Sequence, residues 1–243
     1  MRFTNPLLGA VCCSALVSCT ASTVQVRIEP LAEASVGTSS SSSHPEQSAI
    51  VTVEIPSSAE LDVPFSPQAP HANWDDPYQE ACEEMSVIMV DYFYGKNRLT
   101  PDIADLEIVQ LVNWQTTKGY RQDVSLDQLA TIVREYYGYD ARVSEDVSKD
   151  AIMYEISQGH PVIVPAAGRT LGNPYFTGEG PWYHMLVIRG YDQKYFITND
   201  PGTRRGEAYS YKHDVLLNAV HDWTGVAEET ENGEKRMLIV TPK

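Results

Sequence analysis

Beyond residue 19 the chain carries one cysteine, Cys82. A cysteine sulfur attacks a carbonyl carbon as the thiolate, so it needs an acidified thiol or a neighbouring base. Cys82 opens an apolar repeat: Met85, Ile88, Met89, Tyr92 and Phe93 follow at helical spacing, and Gly95 fits the end. The unpaired amides and the dipole of a helix start stabilise a thiolate. A packing cysteine belongs further along, on the Met85/Met89 face, so this position points to a nucleophile. Glu83 and Glu84 act against it, because nearby carboxylates raise a thiol pKa unless they turn away or are paired.

A thiol nucleophile needs a base and a group that orients the base. Of His71, His160, His184, His213 and His221, His184 directly precedes the apolar run Met185–Ile188. A second run, Tyr195–Thr198, leads to Asn199 and Asp200. A three-residue turn that sets Gly190 against Lys194 puts His184 opposite Asp200, with Cβ atoms about 4.5–5.5 Å apart. Asp200 then holds the imidazole in one tautomer. A slip of one residue brings Asn199 there instead. The oxyanion needs donors. The Cys82 N–H is one, and the side-chain amide of Gln68 or Gln79 is the other. No Cys-x-x-Cys occurs, and His213 and His221 are eight apart, too far for one helical turn. No metal and no cofactor is expected.

The elements that must hold these groups are readable. Cys82–Tyr94 is expected as a helix. Thr100 caps a second, with Pro101 in its first turn, which ends before Gly119. Ser125 and Gln128 form a capping box for a third that reaches Gly138. A fourth spans Ser148–Gln158. Strands follow at Pro161–Ala166, Tyr183–Arg189 and Tyr195–Thr198, then a helix over Lys212–Trp223 and a strand at Met237–Thr241. Helices first and an antiparallel sheet after them is an α+β pattern. The long Gly- and Pro-rich segment Gly168–Pro181 precedes His184 and suits a cleft edge or lid.

The chain has 243 residues and a formal charge of −15, from 18 Lys and Arg against 33 Asp and Glu. That balance argues against a nucleic-acid binder, which needs a basic face. It also argues against electrostatic docking on an anionic membrane, and it favours a soluble domain and cationic substrates. An apolar share of 42% supplies a core and argues against global disorder. One thiol in the folded part rules out a disulfide scaffold.

The N-terminus reads as a targeting segment. Arg2 precedes a nearly uncharged apolar stretch, Pro6–Val17, too short to span a bilayer but suited to a signal peptide. Leu16-Val17-Ser18-Cys19 resembles a bacterial lipobox, whose cysteine is lipidated and becomes the new N-terminus. The expected organisation is a signal peptide over 1–18, a flexible Ser-rich tether over 19–60 and a folded domain over 61–243. Membrane attachment would run through lipidated Cys19. The chain would then be extracytoplasmic, as a cell-envelope lipoprotein or a secreted protein.

Val63-Pro64-Phe65 with Gln68, then Trp74, Tyr78-Gln79 and Ala81-Cys82, resembles the start of papain-fold cysteine peptidases of the bacteriocin-processing, double-glycine type, in their stand-alone form without a transporter. His184 with its apolar strand, Gly190-Tyr191-Asp192 and Asn199-Asp200-Pro201 resembles that family's second half. The resemblance covers about residues 61–241. It implies a papain-like fold and hydrolysis of a peptide or amide substrate through a thioester. It also implies Cys82 as nucleophile, His184 as base, Asp200 as orienting acid and Gln68 as oxyanion donor. Gln68 stands 14 positions before Cys82, farther than the papain-like pattern, and an insertion looped through Trp74 would restore the geometry. Glu83 stands where the family often has glycine. An inactive papain-fold binding lipoprotein and a transglutaminase-like acyl transferase are the alternative functions.

Overall fold

The computed structural model describes residues 22–27 and 50–243. The expected signal peptide, lipidated Cys19 and most of the tether lie outside the described residues. β1 (Ser22–Arg27) and β2 (Ile50–Ile55) pair antiparallel as a two-stranded sheet. β3 (Ala59–Glu60) joins the main sheet. Ile55 is buried in the core, and the Tyr191 hydroxyl donates to the Pro56 carbonyl. Ile55, Pro56 and β3, within the span expected as tether, thus contact the domain that follows.

Helices come next. α1 (Cys82–Gly95) is buried over its whole first half, Cys82 through Val90, because it lies between the sheet and its neighbour helix. Its end is capped by Lys96 in a left-handed conformation rather than by Gly95. α2 (Pro101–Lys118) starts on Thr100, whose Oγ1 accepts from the Ile103 N–H, and stops at Gly119. α3 (Leu126–Ile132) has the Ser125/Gln128 capping box, and its last stretch, Val133–Tyr137, widens into a π turn before Gly138. β4 (Asp140–Ser144) was not expected from the sequence. α4 (Lys149–Ser157) is capped by Ser148.

β5 (Val162–Ala167), the short α5 (Gly168–Leu171), β6 (Tyr183–Tyr191) and β7 (Tyr195–Asn199) follow. Lys212–Trp223 is not one helix. It divides into the end of β8 (Tyr209–Lys212), α6 (His213–Ala219) and loop. β9 (Met237–Thr241) closes the chain. The main sheet has seven antiparallel strands in the order β4-β9-β5-β6-β7-β8, with β3 on β6.

Alternation along the central strands splits the core in two. Ile163, Met185, Val187, Leu238 and Val240 face α1, α2 and α3. Val162, Val164, Leu186, Ile188, Met237 and Ile239 face α4 and α6. Burial on both faces is why β6 reads as an unbroken apolar run. Among the described residues, no helix is long and apolar enough to cross a membrane.

Candidate active site

Cys82 reaches the site through a short 3-10 turn, Tyr78–Glu80, and an N-cap residue, Ala81, that offers no side-chain cap. The first amides of α1 therefore have no intrahelical acceptor, and the Cys82 N–H is one of them. Gln68 braces this turn. Its Nε2 donates to the Tyr78 carbonyl at 3.0 Å and to the Gln79 carbonyl at 2.9 Å. Its backbone N–H donates to the Pro201 carbonyl at 2.9 Å, which ties the turn to the loop beyond Asp200. Both side-chain hydrogens of Gln68 are thus engaged, and the atom left without a partner is its buried Oε1. Gln79 is exposed on the same cleft.

The β6–β7 hairpin differs from the expected register. The turn has two residues, Gln193 and Lys194, with the Asp192 N–H donating to the Tyr195 carbonyl and Asp192 Oδ1 accepting from the Lys194 and Tyr195 amides. Gly190 pairs with Ile197, not Lys194. A β-bulge between Ile188 and Gly190 then shifts the ladder by one, so that Val187 pairs with Asn199. Continued outward, this register sets His184 against Gly202 and Asp200 two positions away on the same face. The ring still reaches: His184 Nε2–H donates to Asp200 Oδ1 at 2.8 Å. Asn199 lies on the opposite face, where its amide donates to the Val63 and Pro64 carbonyls.

Asp200 is fully buried and amply bonded. Oδ1 also accepts from the Gly202 N–H at 3.0 Å, while Oδ2 accepts from the Tyr211 hydroxyl at 2.6 Å and from Asn173 Nδ2 at 3.0 Å. Burial pushes the Asp200 carboxyl up, but the His184 charge and these hydrogen bonds outweigh it and hold it below the usual range. An ionised Asp200 requires the proton on His184 Nε2, which leaves Nδ1 as the basic nitrogen. Tyr211 and Asn173 were not singled out in the sequence, since neither lies near the motifs. Phe176 packs edge-on against the imidazole, with ring centroids 5.3 Å apart. Gly202 lies so close that a Cβ there would stand 2.8 Å from His184 Cε1 and 2.9 Å from Phe176 Cε1.

The thiol is not acidified as its place on α1 led one to expect. Burial is the first cause that pushes the Cys82 thiol well up, and an ionised Glu83 would push it further. Glu83 has turned inward: its Oε2 is hydrogen-bonded to Cys82 Sγ at 3.0 Å, and its Oε1 accepts from the Val124 N–H. Among the described residues, the side-chain partner of the thiol is Glu83. Burial likewise pushes the neighbouring Glu84 up to about 7.

Cys82, His184 and Gln68 line one cleft of about 660 Å³, and Asp200 lies behind His184. Trp74, Gln79, Glu80 and Tyr183 form one part of its wall. Tyr175, Phe176, Thr177, Gly180 and Pro181, from the segment expected at the cleft edge, form another. The loop after Asp200 adds Gly202, Thr203, Arg204 and Arg205. Arg205 lies over the Tyr175 ring, 4.9 Å from its centroid. The cleft thus carries two arginines against one carboxylate, Glu80, and does not share the acidity of the whole chain.

A cysteine at a helix start, joined in one cleft to a histidine and a buried aspartate from an antiparallel sheet, belongs to the papain-like α+β class. The chain is a member of the Peptidase_C39 like family, whose model matches residues 60–228. Among solved structures, one from Bacillus anthracis described as a C39-like peptidase covers 76% of this chain and 98% of its own, with a TM-score of 0.50 and 15% identity. That likeness is one of fold. No curated protein matches the chain.

Proposed function

We propose that this chain is a cysteine hydrolase that cleaves a peptide or amide bond, with Cys82, His184 and Asp200 as its triad. The observation that carries the reading is the buried His184–Asp200 pair in a cleft shared with Cys82 at the first turn of α1. His184 Nδ1 takes the proton of the thiol, and the sulfur's electron pair attacks the carbonyl carbon. The Cys82 N–H meets the oxyanion. Gln68 Nε2 is the second donor, exchanging one of its two carbonyl bonds, worth about 1 kcal/mol, for the stronger charge-assisted bond to the oxyanion. His184 then protonates the leaving amine, a thioester remains, and water activated by Nδ1 releases the acid. The sequence signals at Leu16–Cys19 support action at the bacterial cell envelope, with lipidated Cys19 as anchor.

A binding role without catalysis is the second reading, favoured by the buried thiol and its bond to Glu83. One experiment separates the two: release of products from a mixed peptide library by wild type, Cys82→Ala and His184→Ala. Hydrolysis lost in both variants, with His184→Ala down by about 10²–10⁴-fold, supports the triad. Hydrolysis surviving Cys82→Ala sinks it. Library binding without turnover in any variant supports the second reading.

A further inference from the structure

Glu83 directly follows Cys82 and is 0% exposed. A buried carboxylate ordinarily has a cation or several donors around it. Besides the sulfur, the donors to Glu83 among the described residues are the Val124 N–H, 3.2 Å from Oε1, and its own backbone N–H, and neither carries a charge. The other charged groups acting on it are Glu84 and Asp123, both acidic. Nearby, the Tyr183 hydroxyl donates to the Val124 carbonyl, and Asp222 accepts from the Leu126 N–H, so neither neutralises Glu83. Burial without a cation holds the Glu83 carboxyl well above its usual range. Because Oε1 is the acceptor for Val124, the acid hydroxyl belongs on Oε2, the oxygen 3.0 Å from Cys82 Sγ.

Building on Cys82 as the nucleophile read above, we propose that Glu83 is a further active-site acid. It stays a neutral carboxylic acid and donates its Oε2–H to the sulfur, stabilising the thiolate. The balance is simple. The S–H bond breaks, its proton passes to His184 Nδ1 and the electron pair stays on Sγ. Glu83 keeps its own proton and turns from acceptor of the thiol to donor to the thiolate. A charge-assisted bond of this kind strengthens as the sulfur becomes negative. The carboxyl next to the nucleophile then assists ionisation, where a carboxylate would oppose it.

The test is the rate of Cys82 alkylation by iodoacetamide against pH, on the full chain, in wild type, Glu83→Gln, Glu83→Ala and His184→Ala. Glutamine keeps a donor toward sulfur and an acceptor for Val124. Glu83→Gln should therefore stay within about threefold of wild type near pH 7, and Glu83→Ala should fall by about tenfold or more. Infrared spectra at neutral pH should show a protonated-carboxyl band that Glu83→Gln removes; this readout stands even if Glu83→Ala does not fold. Alkylation of Glu83→Ala at or above the wild-type rate would overturn the proposal, as would absence of that band. A wild-type rate unchanged by His184→Ala would instead sink the nucleophile reading beneath it, whatever the Glu83 variants do.

Discussion

His184 reaches Asp200 diagonally across the β6–β7 ladder, two positions from its own register partner. The bulge at Arg189 makes this possible. In the register next to the turn, Gly190 pairs with Ile197, and that pairing continued outward would place Asn199 on the face of His184. The one-residue shift at the bulge puts Asp200 there. Arg189 itself pins the segment just after β3, donating from Nε to the Leu61 carbonyl and accepting on its own carbonyl from the Leu61 N–H.

Gly202→Ala should disable the site without unfolding the protein. The added Cβ would meet the His184 and Phe176 rings at under 3 Å, so the imidazole must shift off Asp200. Displacement of about 1 Å at a reacting group costs on the order of 10²-fold. The expected result is a fall of that size in hydrolysis and in Cys82 alkylation, with a melting temperature close to wild type.

Tyr211→Phe should lower stability in a pH-dependent way. The variant removes a 2.6 Å hydrogen bond to a carboxylate held below its usual range. A depressed acid contributes stability that is present above its unfolded value, near 3.9, and is lost as pH falls through the folded value. Loss of one such bond costs about 1.5–3 kcal/mol. Urea unfolding should show that deficit at neutral pH and a smaller one near pH 3.

Glu84→Gln should stabilise the protein at alkaline pH. Glu84 is 3% exposed, and its Oε2 has no partner. Its folded pKa, about 7, lies above the unfolded one, so the folded state binds the extra proton between the two values. Wild-type stability then falls as pH rises from about 4.5 to 7 and stays low above. The difference in melting temperature between pH 5 and pH 8 should be smaller in the variant than in wild type, the remainder coming from Glu83, whose carboxyl is also pushed up.

Arg204 and Arg205 should favour substrates that bear carboxylates. They outnumber Glu80 in the cleft of a chain whose net charge is −15. Replacing both by Gln should reduce kcat/KM for Glu-containing peptides by about tenfold relative to Gln-containing ones. Added salt should narrow that difference in the wild type.

Much of the frame was legible from local signals. The Thr100, Ser125 and Ser148 caps and the apolar runs of β5, β6 and β9 are written in neighbouring residues, because capping and burial periodicity act over a few positions. Strand β4 and the strand–helix junction at Lys212 were not, since short half-exposed strands are decided by the partner they pair with. The chemistry-bearing types at Cys82, His184 and Asp200 could also be named from their places beside a helix start and two apolar runs. Their mutual geometry could not. Hairpin register depends on a bulge at Arg189, a residue hydrogen-bonded to Leu61, 128 positions away. The Asp200 carboxylate is held by Asn173 and Tyr211, which only the closed sheet brings together. The direction in which Glu83 points, and hence the protonation of the thiol beside it, follows from burial against Val124. Sequence alone determined which groups stand at the ends of which elements. Long-range packing decided which of them touch, because hydrogen bonds and desolvation act over a few ångströms of space and take no account of distance along the chain.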